Sequence, residues 1–470
     1  MSIIKPERPG GFNDYSPSEM FARRILAERI RKVYETFGFS PLETPIIEFE
    51  MALAGEEGSD MNLWRASTGS VRDLSPLALR FDHTVPLARY VAANLGQIKL
   101  PWRRWCLGPV FRGESTGAGR YHQFYQYDAD IVGVSDLLAD AEIIWMMVSA
   151  MSELTRRDFK VRWNSRKIIN GLAEVLGITG SVIDNEGGGE VKRSMMLFRA
   201  IDKLEKIGWE GVKLLLERAP DNMLDTTALK LNSDQVGLVE KFLAITTQTD
   251  DSMRALDQLE AVLKVSAIGL EGIADCREVA NILSTLGVSD TRQGLDFSVA
   301  RGFGYYTGIV FETLIAGAEK VGSVYSGGRF DDLVARFTGQ SMPSTGASIG
   351  FDRLFAVIKQ LGELPKVPST PIVALVMDFG NPKDLPVLLQ ILSELRSAQV
   401  PSEIYRGTDT NFKGQMRYAI QQGMRFLVIP GEKELAEGCV AVKFLQNRTQ
   451  RVIPINILGS ALSALSLDAL

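Results

Sequence analysis

Cysteine and histidine are both scarce in this chain. Its 470 residues include three cysteines, Cys106, Cys276 and Cys439, and two histidines, His83 and His122. The cysteines are far apart and odd in number, so they give neither a disulfide framework nor a Cys-x-x-Cys metal pattern. That usage fits a reducing compartment, and a cytoplasmic location is expected. Two histidines exclude a histidine-rich zinc site and leave a Ser-His-Asp mechanism few candidates. No apolar run is long enough to span a membrane, so no membrane partner is expected. The opening residues, MSIIKPERPGGFND, carry charges and prolines where a signal peptide needs an apolar stretch. A net charge of −5 argues against a protein that is basic all over, yet leaves room for a local nucleic-acid surface. Internal repeats and low-complexity tracts are also missing.

What is present is an ordinary globular composition, and the length implies two or three domains. Ser16-Pro17-Ser18-Glu19 reads as a capping box with proline at the first helical position. Apolar residues then recur at Phe21, Ile25, Leu26, Ile30, Val33 and Phe37, one face of a helix that Gly38 closes. Phe39 to Phe49, with Thr44-Pro45, reads as extended. Trp105 to Gly133 reads as two strands around a loop holding Gly117 and Gly119, followed by helix to about residue 160. Residues from about 175 to 285 are rich in helix formers and look like an inserted helical module. Strand patterns return at Gly294 to Glu312 and Gly322 to Phe330, and Ser344 to Gly350 leads into a helix near Phe351. Pro365, Pro368 and Pro371 mark a linker. Beyond it strands and helices alternate, which implies a small α/β domain with a mostly parallel sheet.

The densest chemical signal is FRGESTGAGRYHQFYQYDADIVG, Phe111 to Gly133. Alternation puts His122, Phe124, Gln126, Asp128 and Asp130 on one sheet face, with Arg112 and Glu114 entering beside them. This suits a polar small-molecule site; a solvated sheet face with ordinary ion pairs fits the residues about equally well. In ARGFGYYTGIVFE, Ala300 to Glu312, Arg301 is suited to phosphate or carboxylate recognition by its planar fork. A core strand with a surface arginine is the alternative, and strict alternation would put Arg301 and Tyr306 on opposite faces unless Gly302 or Gly304 breaks it. In GSVYSGGRFDDL two glycines before Arg329 would allow close backbone approach to a ligand, although Gly-Gly-Arg is common in turns. In STGASIGFDRL small residues precede a helix carrying Arg353; close strand–helix packing explains that pattern better when taken alone. In LRFDHTVPLARY, Asp82 and Thr84 share parity and suit an ammonium group, whereas His83 reads as a packed or capping residue rather than a base.

Together and in this order, these segments resemble the histidyl-tRNA synthetases, a family of class II aminoacyl-tRNA synthetases. The helix ending in Thr44-Pro45 resembles class II motif 1, Phe111-Arg112-x-Glu114 resembles motif 2, and Gly350-Phe351-Asp352-Arg353-Leu354 resembles motif 3. The segments around Arg301 and Arg329 are the more specific, resembling the family's Arg-Gly-Leu-Asp-Tyr-Tyr and Gly-Gly-Arg-Tyr-Asp-Gly-Leu signatures. The forms Asp82-x-Thr84 and Gln126-Tyr127-Asp128-Ala129-Asp130 resemble the eukaryotic and alphaproteobacterial branch.

The resemblance implies an α+β fold: an antiparallel-sheet catalytic core with a helical insertion over residues 1–365, then an α/β anticodon-binding domain over 366–470. It implies histidine activation with ATP and transfer to the 3′-terminal adenosine of a tRNA, by a homodimer with motif 1 at its interface. ATP would enter as its Mg2+ complex, with no tightly bound cofactor and no protein-held metal. Asp82, Thr84 and Gln126 would hold the α-amino group of histidine, and Asp130 and Tyr306 would read the imidazole, with Tyr305 in the same pocket. Arg112 would contact the α-phosphate and the histidine carboxylate, Glu114 would orient adenine, and Arg120 and Arg353 would hold the ATP phosphates. Arg301 would be the main electrostatic catalyst. The helical insertion would touch the acceptor arm of the tRNA.

Ser115-Thr116, His122, Gly304, Phe330 and Asp332 depart from the usual family residues. They leave open a catalytically weakened or regulatory paralogue. One such group assists ATP phosphoribosyltransferase in histidine biosynthesis, but it lacks the C-terminal domain. Other class IIa synthetases, for threonine, proline or glycine, are opposed by the Arg301 and Arg329 segments. A general RNA-binding module is a third class and predicts RNA affinity without ATP turnover.

Overall fold

A computed structural model describes residues 4–54, 63–66, 76–113, 115–117, 119–183, 190–217, 229–249, 251–300, 304–367 and 370–466. The chain forms two compact units, Met1–Asn13 with Leu26–Leu364 and Asp14–Ile25 with Pro365–Leu470. The division falls within the first helix, Pro17–Thr36. That helix starts with reciprocal capping: the Ser16 amide donates to Glu19 Oε2 at 2.9 Å, and the Glu19 amide donates to Ser16 Oγ at 3.4 Å.

The first unit is built on an eight-stranded sheet. Its order is Ser40–Pro41, Trp102–Phe111, Gln123–Val132, Ser344–Gly350, Tyr325–Arg329, Ile309–Ile315, Phe159–Ser165, Gln293–Leu295. The six central strands pair antiparallel, and only the two edge strands pair parallel. Helices Leu138–Leu154 and Phe351–Gln360 pack against it. Beneath the sheet Tyr34 is fully buried, its hydroxyl 2.8 Å from that of Tyr325 and donating to the Tyr127 carbonyl at 3.2 Å. Burial this deep costs stability unless the phenol finds partners, and here it has two.

Between residues 175 and 285 the described residues hold helices Arg193–Ile201, Leu204–Glu217, Ser233–Gln248, Ser252–Leu263 and Ala267–Thr285, with one short ribbon, Ser181–Ile183 and Glu190–Lys192. The stretch Gly294 to Glu312, read from sequence as one strand, is two: Gln293–Leu295 and Ile309–Ile315. Gly304 and Tyr305 lie in a turn between them, so the alternation argument about Arg301 and Tyr306 does not apply. β-Branched and aromatic residues mark strand-forming stretches, but not where a chain leaves the sheet.

The second unit has a five-stranded sheet in the order Ser402–Ile404, Ala374–Val376, Phe426–Ile429, Cys439–Phe444, Thr449–Pro454. Two pairings are parallel and two antiparallel, so the sheet is mixed rather than mostly parallel. The final hairpin turns back directly, and no crossover helix separates its strands. Helices Leu385–Ser397 and Ile455–Ser466 pack on one another around Leu388, Ile391, Leu395, Leu458 and Leu462. Among the described residues, no helix is long and apolar enough to cross a membrane.

Candidate active site

The site grows from strand Gln123–Val132. Its register sets Asp130 between Arg104 and Gly346, Asp128 between Cys106 and Ser348, and Gln126 between Gly108 and Gly350. Directly opposite residues share a face, so these nine positions form one patch of sheet. Asp130, Asp128 and Gln126 are all buried there. The glycines leave the face low enough to receive other groups. A Cβ at Gly346 would stand 2.0 Å from Asp130 Oδ1, and one at Gly108 would stand 2.5 Å from an Arg80 guanidinium nitrogen.

Arg80 to Thr84 lies over this patch and opens the helix Thr84–Ala93. Arg80 anchors it, donating to the carbonyls of Pro109 at 2.9 Å and Thr44 at 2.7 Å. Asp82 accepts from the Val85 amide at 3.1 Å and from the Tyr305 hydroxyl at 3.1 Å. Tyr305 and Tyr306 make an edge-to-face pair with centroids 5.0 Å apart. The Tyr305 hydroxyl also bonds Thr84. Asp82, Thr84, Tyr305, Tyr306, Gln126 and Asp130 therefore converge in one region, and Gln126 Oε1 is buried there without a hydrogen-bond partner.

Burial pushes the Asp82, Asp128 and Asp130 carboxyls above the usual carboxylate range, and the guanidinium of Arg104 works against that rise at each of them. His83 is buried, with Nε2–H donating to the Gly108 carbonyl at 3.2 Å. Desolvation, together with Arg80 and Arg104, holds its imidazole well below the ordinary range, so it stays neutral and packed. Burial likewise pushes the Cys106 thiol up to about 11 and makes it inert.

Arg112 sits at the mouth. Its Nε donates to the Phe81 carbonyl at 3.1 Å, and its guanidinium lies 5.1 Å from the Phe124 ring centroid. Arg120 is exposed in the loop after Arg112, where its backbone pairs with Gly117. Arg353, on the helix Phe351–Gln360, donates to the Ser323 carbonyl at 2.8 Å, and its Cγ lies 3.3 Å from a Cβ built at Gly119. The loop and this arginine are therefore neighbours. Glu114 and Arg301 lie outside the described residues.

Arg329 is a structural residue. It is buried, its Nε donates to Asp140 at 2.9 Å, and its terminal nitrogens reach the carbonyls of Val134 at 3.0 Å and Asp136 at 3.2 Å. The two glycines before it serve strand contact rather than a ligand. A Cβ at Gly327 would stand 2.1 Å from the Gly346 carbonyl oxygen. Among the departures, His122 is held by Nδ1–H donating to the Arg112 carbonyl at 3.0 Å and packs edge-on to Trp64. Phe330 is buried against Tyr305, while Ser115, Thr116 and Asp332 are exposed.

Sequence reading missed Arg104. An arginine pair at the start of a strand carries no motif, and only the register across to Asp130 reveals which of the two faces the pocket. It missed the Arg80 anchor because the carbonyls that Arg80 holds belong to residues remote in the chain. Among the described residues, no cluster of three or more His, Cys, Asp or Glu side chains forms a metal site.

An antiparallel sheet with an arginine at the end of one strand and a second on the helix that follows another is the catalytic fold of a class II aminoacyl-tRNA synthetase, here with a C-terminal α/β anticodon-binding domain. The histidyl-tRNA synthetase family model matches residues 11–186 and 196–354, and the anticodon binding domain model matches 373–465. The chain belongs to the histidyl-tRNA synthetase family. It is 39% identical to the histidine–tRNA ligase of Rhizobium meliloti over 94% of this chain and 88% of that one. It is 37% identical to the histidine–tRNA ligase of Paracoccus denitrificans over 94% of this chain and 90% of that one. A crystal structure of histidyl-tRNA synthetase from Nostoc sp. PCC 7120 superposes with a TM-score of 0.80 at 31% identity, covering all of both chains.

Proposed function

We propose that this chain is a working histidine–tRNA ligase, and the buried set of Gln126 and Asp130 on one sheet face with Asp82 in the turn above it carries the reading. Unlike a solvated face, it offers two carboxylates and an unpartnered amide oxygen to a cationic ligand. Asp82, Thr84 and Gln126 hold the α-ammonium group. Asp130 and Tyr306 read the imidazole, and Tyr305 closes the wall by bonding Asp82. The Asp130 carboxylate accepts the ring N–H in a charge-assisted bond, which outweighs a neutral one.

The chemistry needs no strong base. The histidine carboxylate is already an anion and attacks the α-phosphorus of ATP; the bond to pyrophosphate breaks and histidyl-adenylate forms. Positioning and charge stabilisation supply the catalysis. Arg112, at the mouth, contacts the carboxylate and the α-phosphate, and Arg301 stabilises the charge that grows there. Glu114 orients adenine, while Arg120 and Arg353 hold the remaining phosphates. Mg2+ enters bound to the ATP phosphates as part of the substrate. In the second step the terminal ribose hydroxyl of the tRNA attacks the adenylate carbonyl, and AMP leaves.

Residues 1–365 make the adenylate and residues 366–470 hold the tRNA anticodon. A two-fold dimer forms through the motif 1 region, where Ile46, Ile47, Phe49 and Met51 all stand exposed. The protein works in the cytoplasm.

ATP–pyrophosphate exchange against each amino acid, with tRNA charging alongside, tests the activity. Exchange that depends on histidine alone is expected. Exchange with no amino acid favours the regulatory paralogue, and exchange with another one sinks the histidine reading. A fragment of residues 1–365 is expected to keep exchange and to charge tRNA poorly. Sedimentation at micromolar concentration is expected to give a dimer.

A further inference from the structure

Arg104 is 1% exposed, in the middle of strand Trp102–Phe111. A guanidinium at that depth is costly unless its charge and its N–H donors are met. Its charge is met by Asp130 and one terminal nitrogen by the His83 carbonyl, both parts of the histidine pocket, while its Nε–H finds no hydrogen-bond partner among the described residues. One terminal nitrogen lies 2.9 Å from Asp130 Oδ2 and also donates to the His83 carbonyl at 3.0 Å. His83 stands between Asp82 and Thr84 in the turn assigned above to the α-amino group.

We infer that Arg104 is a positioning residue for histidine recognition, tying the carboxylate that reads the ring to the turn that holds the ammonium and so setting the span between them. The inference rests on the assignment of Asp130 to the imidazole. Arg104 is not a catalytic residue, since it acts through Asp130 and through the backbone of His83.

Three features make the tie specific. Asp130 cannot swing toward the next strand without displacing it, because its Oδ1 already occupies the space that a side chain at Gly346 would need. The guanidinium bridges two elements far apart in sequence, Thr84–Ala93 and Gln123–Val132, so loosening it moves one recognition group relative to the other. Its charge also keeps Asp130 more acidic than burial alone allows, while Asp82 presses the other way, and Asp130 in turn raises its neighbour Asp128. Tyr306 and Tyr325 share that field, as do Cys106 and His83; burial keeps the two phenols and the thiol protonated and the imidazole neutral. A pocket built to span an amino acid from ammonium to ring discriminates by that span, so a positioning change shows up as altered use of histidine.

The test compares Arg104→Lys, Arg104→Leu, Asp130→Asn and Arg104→Leu/Asp130→Asn by pyrophosphate exchange, after thermal melts have established folding. Arg104→Leu is expected to raise the histidine KM by about tenfold or more, with the ATP KM changed by less than about twofold. Arg104→Lys keeps the charge and loses the fork, so it recovers part of the loss. The acid limb of the histidine KM profile is expected to move to higher pH in Arg104→Leu, because Asp130 then takes a proton more readily. The titration of free histidine is common to all variants and does not produce that displacement. In the double variant the rise in KM is expected to fall short of the product of the two single effects. Where Arg104→Leu does not fold, the lysine variant and the double variant, which buries no lone charge, decide.

Equal rises in the KM of histidine and ATP with an unmoved acid limb, or a double variant that equals the product, overturn the inference. If Asp130→Asn leaves the histidine KM unchanged, the ring assignment itself has failed. If it raises that KM while both Arg104 variants leave it alone, only the role of Arg104 has failed.

Discussion

Asp130 is 3% exposed, and Arg120, in the same hairpin, stands in solvent. The floor of the pocket and the loop at its mouth differ in how their polar groups are held. On the floor, Asp82 has the Val85 amide and the Tyr305 hydroxyl, Asp130 has Arg104, and Arg80 holds two carbonyls. At the mouth, Ser115, Thr116 and Arg120 are exposed, and the loop borders a cavity of about 330 Å³ shared with Arg8 to Asn13. A small amino acid offers few contacts, so its site gains most from groups already in place. Triphosphate and tRNA bring many charges, and long exposed arginines can meet them as they arrive.

Substitutions in the floor and at the mouth are expected to separate the two regions. On the role proposed for Arg301, Arg301→Ala is expected to lose on the order of 3 kcal/mol or more of transition-state stabilisation, since charge of that kind grows only during the reaction. Single-turnover adenylate formation reads this directly; near-normal turnover in the folded variant would remove Arg301 from the mechanism.

Asp130→Asn comes next, with about 1.5–3 kcal/mol lost from kcat/KM for histidine. Because burial raises the Asp130 pKa, the wild-type enzyme is expected to lose histidine affinity as pH falls and the carboxylate takes a proton. The asparagine variant should lack the part of that acid limb that belongs to Asp130. An unchanged limb would assign it to another group.

Gly346→Ala places a methyl against Asp130, and overpacking of this kind costs about 1–3 kcal/mol. Stability and histidine use are expected to fall together, read by a thermal melt and a histidine KM. A stable variant with an intact KM would mean that the floor yields more easily than its packing implies.

Arg120→Ala is the matching test at the mouth. No loss of melting temperature is expected from an exposed side chain, and the ATP KM should rise by roughly fivefold, about 1 kcal/mol. A fall in histidine affinity instead would erase the contrast between the two regions.

Phe330→Tyr should have the smallest effect. The ring is buried beside Tyr305, with centroids 6.2 Å apart. If the new hydroxyl finds a partner, the change is worth roughly 0.5–1.5 kcal/mol or less, with the histidine KM unchanged or slightly lower. Melts with and without histidine check it; a large loss of stability would place Phe330 in the core alone, with no bearing on the pocket.

Several elements of this protein are legible in the sequence because they follow local rules. The capping box at Ser16 and Glu19 forms as written, and the helix after Gly350 begins at Phe351. The alternation that put Gln126, Asp128 and Asp130 on one face holds, since a strand has a period of two. Where the chain leaves the sheet near Tyr305, and where the last hairpin reverses a parallel sheet, local pattern is silent. Strand propensity says that a segment can pair; it does not say with which partner or in which direction.

Family membership is written in the chain as motifs whose order and spacing survive as a string, and with it the chemistry of histidine, ATP and tRNA. The parts played by Arg329 and Arg104 emerge only once the chain is folded. The glycines before Arg329 suggested backbone approach to a ligand, yet Arg329 is spent on Asp140 and two carbonyls; Arg104 carried no motif and lies under the pocket against Asp130. An arginine's role depends on its burial and on which carboxylate stands across from it, and strand register sets both by joining residues that are remote in the chain.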